Sequence, residues 1–148
     1  MSPALAIAEE IKTLDKKAKI LFICRDGGGE NAPIVKQGYN IELLNVCGLQ
    51  RRITLKNAKN LALALLAERK ARNIILKFKP DVVVGTGGYV CWPVLHAANA
   101  LKIPTLLHES NAIPGLVCRL LAKKTTKVIL NLEECKARLK NKDNAEVM

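Results

Sequence analysis

Residues 80–95 read PDVVVGTGGYVCWPVL. Pro80 and Asp81 punctuate the chain, Val82, Val83 and Val84 make a branched apolar run, and Gly85, Thr86, Gly87 and Gly88 follow with almost no side chain. Such a run without polar alternation predicts a strand buried on both faces, the kind found in parallel sheets. The stretch from Pro93 to Lys102, PVLHAANALK, predicts a helix. Strand, glycine loop and helix in that order specify one unit of a parallel α/β sheet, whose ligands sit outside the carboxyl ends of the strands.

The same alternation extends in both directions. Upstream, SPALAIAEEIKTLD predicts a helix with Ser2 as cap and Pro3 at its first position, KILFICR a strand, DGGGE a loop, and NAPIVKQ a short helix ending at Gly38. YNIELLNV predicts a second strand, and Thr54 opens a long helix through Lys79 with apolar residues at three- and four-residue spacing. Downstream, PTLLHE, PGLVCRLLAKK, KVILN and LEECKARLK predict strand, helix, strand and helix. The expected fold is α/β: one domain over residues 1–148 with a Rossmann-like parallel sheet and helices on both faces. A doubly wound unit begins on a strand and this sequence begins on a helix, so the first strand is expected to be missing. If that strand is the central one, its two neighbours expose edges, and supplying it raises the melting temperature.

Composition narrows the partners. Of 148 residues, 49% are apolar and 25% charged, which fits a folded domain and excludes disorder. A net charge of +11 attracts phosphate-bearing partners, whether metabolite, membrane or nucleic acid. The basic residues are dispersed and lack the aromatic pattern of an RNA-binding sheet, so nucleic acid is not expected. The five cysteines form no C-x-x-C pair, which points to reduced thiols rather than a zinc site or a disulfide framework. No apolar run reaches the ~20 residues of a membrane span, so any membrane contact is expected to be peripheral.

Two constellations fall at predicted strand ends. At the first, Gly85, Gly87 and Gly88 let backbone N–H groups approach an anion, and the following helix adds its positive end; a tight turn chosen for geometry alone is the competing reading. At the second, His108, Glu109, Ser110 and Asn111 place an imidazole, a carboxylate, a hydroxyl and an amide in succession. A carboxylate beside a histidine raises its basicity, as a general base needs, while either side chain serves equally to fasten the loop to backbone. Asn111 both donates and accepts, which suits sugar hydroxyls. His96 lies within a predicted helix and is assigned no role. Leu49 and Ile53 alternate with Arg51, Arg52, Lys56 and Lys59, the mixture an anionic membrane surface requires, or else a solvated basic face.

Together PDVVVGTGGYV, KIPTLLHESNAIPG and RLLAKKTTKVIL resemble the MurG-type N-acetylglucosaminyltransferases of bacterial peptidoglycan synthesis, and SPALAIAEEIK, GGGENAPIVKQGY and CGLQRR are similar to further segments of the same N-terminal domain. The resemblance implies the acceptor lobe of a GT-B transferase that moves N-acetylglucosamine from UDP-GlcNAc to lipid I, an undecaprenyl-diphosphate-linked acceptor, at the cytoplasmic face of the cell membrane. It implies no metal and no cofactor. It assigns Gly85, Thr86, Gly87, Gly88 and Tyr89 to the acceptor diphosphate, His108 and Glu109 to catalysis and Asn111 to the donor. The family's first glycine loop, with its histidine, and its C-terminal donor lobe have no counterpart here, so the isolated chain is expected to be inactive without a donor lobe or a separate donor subunit. The alternatives are the binding subunit of a two-chain transferase and a non-catalytic domain for diphosphate lipids. Cys91 and Trp92 stand where the family carries Ser-Gly, Ser110 where it carries Gln and Cys118 where it carries Asn. Trp92 is expected to narrow the space that the glycine leaves open.

Overall fold

The computed structural model describes residues 2–46, 55–140 and 142–148, with side chains of the second block from residue 63. The chain divides into two compact units, Met1–Asn45 and Val46–Met148.

In the first unit, α1 (Pro3–Leu14) and α2 (Asn31–Lys36) accompany the parallel pair β1 (Leu21–Arg25) and β2 (Asn40–Leu44). Pro3 stands in the first turn of α1, where its missing N–H costs nothing. Leu5, Cys24 and Ile34 form a small core, flanked by Phe22 and Tyr39 with ring centroids 5.1 Å apart.

The second unit contains α3 (Leu55–Phe78), β3 (Val83–Gly85), α4 (Cys91–Ala100), β4 (Thr105–Glu109), α5 (Leu116–Leu121), β5 (Lys127–Leu130), α6 (Glu133–Ala137) and β6 (Ala145–Val147). Its four strands pair in sequence order, all parallel. Their carboxyl ends therefore share one edge of the sheet, and register sets Gly85 opposite Leu107 and Glu109 opposite Leu130. Leu95, Leu107, Val117, Cys118, Leu121, Val128, Leu130 and Cys135 form the core on one face. Ala67, Ala71, Ile74 and Ile75 make the buried stripe of α3, which packs along α4.

Several expectations are corrected. The strands lie in two sheets, and among the described residues β1 and β3 each have one neighbour. β3 is not buried throughout: Val84 within it is exposed, as is Val82 just before it. The helix expected from Pro93 starts at Cys91, because proline is tolerated in a first turn and does not mark its beginning. A sixth strand, β6, was not expected; three residues are too few to show a period, and pairing with β5 orders them.

Candidate functional site

The carboxyl edge of the second sheet carries both constellations. After β3 the chain turns through Thr86, Gly87, Gly88 and Tyr89 into α4. Gly87 and Gly88 have φ of +96° and +77°, a region that side chains rarely adopt. Gly85 is required for another reason: a Cβ there would stand 2.7 Å from Cδ1 of the fully buried Leu95. Tyr89 is half exposed. Among the described residues no backbone acceptor takes the N–H groups of Gly88 or Tyr89, so both remain open beside the N-terminus of α4. The Cys91 thiol donates to the Gly87 carbonyl at 2.6 Å and ties the loop down from inside the helix. Burial pushes this thiol up to about 11, against a partial pull downward from backbone hydrogen bonds at Thr86 and Gly87.

His108 and Glu109 are neighbours on β4 and so point to opposite faces of the sheet. Glu109 is buried and spent on its own loop. Its Oε1 accepts from the Asn111 backbone N–H at 3.1 Å and from Asn111 Nδ2 at 2.7 Å, and its Oε2 accepts from the Gly115 N–H at 2.9 Å. The carboxylate does not reach His108, and of the two readings left open for it the structure forms the loop fastener. His108 instead meets a residue that sequence reasoning passed over. Its Nε2 lies 2.8 Å from Oδ1 of Asn131, just beyond β5, while its Nδ1 is buried without a partner. With the amide oxygen as acceptor, Nε2 carries the proton and Nδ1 keeps a bare lone pair. Asn131 ended a predicted strand, and the only signal for it was the parallel register, which no single sequence displays.

Asn111 and Ser110 are exposed on the loop after β4, and among the described residues no hydrogen bond reaches Oδ1 of Asn111. Cys118 is buried on α5, with its thiol pushed up to about 12 by burial, the Glu109 carboxylate and Cys135. Leu49, Arg51, Arg52 and Ile53 lie outside the described residues; Lys56 and Lys59 fall on α3, where their side chains are not described.

Residues 1–130 match the model of the glycosyltransferase family 28 N-terminal domain. The chain belongs to this family. A relative from Thermoanaerobacter sp. (strain X514), the UDP-N-acetylglucosamine–N-acetylmuramyl-(pentapeptide) pyrophosphoryl-undecaprenol N-acetylglucosamine transferase, is 42% identical over 145 residues, 98% of this chain. The transferase of the same name from Listeria monocytogenes serotype 4b (strain CLIP80459) is 42% identical over 132 residues. This family-28 chain spans 40% and 36% of those relatives. The crystal structure of Acinetobacter baumannii MurG superposes with a TM-score of 0.82 at 25% identity, covering 99% of this chain and 41% of that one. The fold is thus the α/β lobe that opens a GT-B glycosyltransferase. A UDP-GlcNAc 2-epimerase from Neisseria meningitidis, at 15% identity and a TM-score of 0.53, shares the fold.

Proposed function

We propose that this chain is the acceptor-binding lobe of a glycosyltransferase that moves N-acetylglucosamine from UDP-GlcNAc to lipid I, giving lipid II. Family membership and the names of the relatives support the reaction class. The observation that carries the acceptor role is the loop Gly85–Tyr89: two glycines in left-handed backbone, open N–H groups at Gly88 and Tyr89, and a helix N-terminus behind them. Such a cradle suits a diphosphate, since it offers donors and a positive end with no Cβ in the way.

Around it, Asn111 offers its amide oxygen to the donor sugar, and His108 is the candidate base: with Nε2 held by Asn131 and Nδ1 buried, its ring must turn to bring the bare Nδ1 to a hydroxyl proton. Glu109 acts through the loop it closes rather than on the substrate. Donor binding falls to a lobe or subunit beyond these 148 residues, and the whole is peripheral on the inner face of the cell membrane. The net charge of +11 supports that contact, with Leu49, Arg51, Arg52, Ile53, Lys56 and Lys59 as its candidates. Among the described residues no helix is long and apolar enough to cross a membrane.

The test is to incubate the purified chain with lipid I in vesicles, with and without UDP-GlcNAc. Saturable retention of lipid I without formation of lipid II is expected. Turnover by the chain alone defeats the division of labour, and no retention of lipid I defeats the acceptor role.

A further inference from the structure

We infer that Trp92, clamped by His96 and Glu68, is a specificity-determining wall of an apolar groove that takes the first carbons of a polyprenyl diphosphate. The inference rests on reading Gly85–Tyr89 as the diphosphate cradle and assigns what binds beside it.

Trp92 stands in the first turn of α4, and its indole stacks on the His96 ring one turn later, with centroids 5.2 Å apart and planes 14° from parallel. His96 in turn holds Glu68 of α3, Nδ1 to Oε1 at 2.8 Å. One side chain on α4, held in turn by one on α3, thus braces the indole, which has few torsions to lose. That bracing gives His96 the role that its place in a helix did not suggest.

The same indole lines a groove with Tyr89, Pro93, Leu116, Val117 and Leu120. Tyr89 and Leu120 are each 50% exposed, so apolar surface faces solvent here. Tyr89 belongs to both features: its backbone N–H is one of the open donors of the glycine loop, and its side chain begins the groove. An anion on the loop therefore has an apolar trough at its side. The occupant that satisfies both is an amphiphile whose phosphate is joined directly to a hydrocarbon stem. A free diphosphate would leave the groove wet, and a free alcohol would leave the N–H groups unanswered.

Trp92 is the only tryptophan in the chain, so its emission reports the groove directly. The purified chain is titrated with farnesyl diphosphate, inorganic pyrophosphate and farnesol, following fluorescence and calorimetry in parallel. Farnesyl diphosphate is expected to shift Trp92 emission to the blue and to bind at least about tenfold tighter than pyrophosphate, because several carbons leave water. W92G, and W92F as the milder change, should lose most of that preference while keeping the pyrophosphate affinity. H96A keeps the indole but not its support and should blunt both the shift and the preference; circular dichroism shows that each variant is folded. Equal binding of the two diphosphates with no Trp92 response overturns the groove and leaves the loop standing. A Trp92 response to farnesyl diphosphate or farnesol without any pyrophosphate binding supports the groove and defeats the loop. An undiminished preference in folded W92G overturns the role of Trp92.

Discussion

The Oε2 atom of Glu109 lies 2.9 Å from the backbone nitrogen of Gly115, the residue that caps α5. With Oε1 engaged by the backbone and side chain of Asn111, one buried carboxylate closes the whole turn from β4 to α5. A Cβ on Gly115 would stand 3.3 Å from the same Oε2, so this approach is closer than most side chains tolerate. The site at the sheet edge depends on this closure, because Asn111 is presented to solvent from inside it.

Glu109→Gln tests that account. A carboxylate only accepts, whereas a glutamine amide must turn its NH2 toward either Asn111 or Gly115, donor against donor. The expected result is a loss of about 1–3 kcal/mol in unfolding free energy, read from urea denaturation. An unchanged midpoint together with weaker ligand binding would return Glu109 to the role of a catalytic residue.

Asn131 and His108 make a second prediction. The Nε2–H of His108 donates to Asn131 Oδ1 and leaves Nδ1 bare, so long-range ¹H–¹⁵N spectra of the neutral imidazole should show the Nε2–H tautomer. Only two histidines are present, and H96A assigns the signals. Asn131→Ala removes the acceptor and should give a mixture of tautomers. A neutral His108 protonated on Nδ1 in the native chain would sink the assignment.

How far the sequence reaches can be judged from these residues. The order of strands and helices was legible because buried parallel strands are short uninterrupted apolar runs and the helices between them carry capping and spacing signals. Gly87 and Gly88 were legible because positive φ leaves little choice of residue. The division of the strands between two sheets was not, since pairing partners leave no local trace in one chain. Neither were the directions of His108 and Glu109. Their adjacency in sequence suggested a pair, but successive strand residues face apart, and each found its partner across a loop or a neighbouring strand: Asn111 and Gly115 for one, Asn131 for the other. The bracing of Trp92 by Glu68 was equally hidden, because those two residues belong to different helices brought together only by packing.

The buried thiols give a prediction in pH. Cys118 is 3% exposed and pushed up from 9.0 to about 12, first by burial and then by the Glu109 carboxylate and Cys135. The folded chain therefore holds this proton more tightly than the unfolded chain does. Its contribution to stability is complete below pH 9 and is lost as pH rises from 9 toward 12, with a slope of about 1.4 kcal/mol per pH unit once the unfolded thiol has ionised. Cys91, pushed up to about 11, acts in the same direction over a narrower window. Burial raises the Cys24 and Cys135 thiols as well, so Cys118→Ala removes one slope among several, and it opens a small void in the core. At pH 7 the variant should be the less stable protein, and the two denaturation midpoints should converge as pH rises from 9 to 11. Parallel decline of the two proteins would show that Cys118 does not titrate between the folded and unfolded states in this range. The coupling to Glu109 adds a check within the same experiment: in Glu109→Gln the carboxylate no longer opposes the thiolate, so the Cys118-dependent slope should end at lower pH than in the native chain.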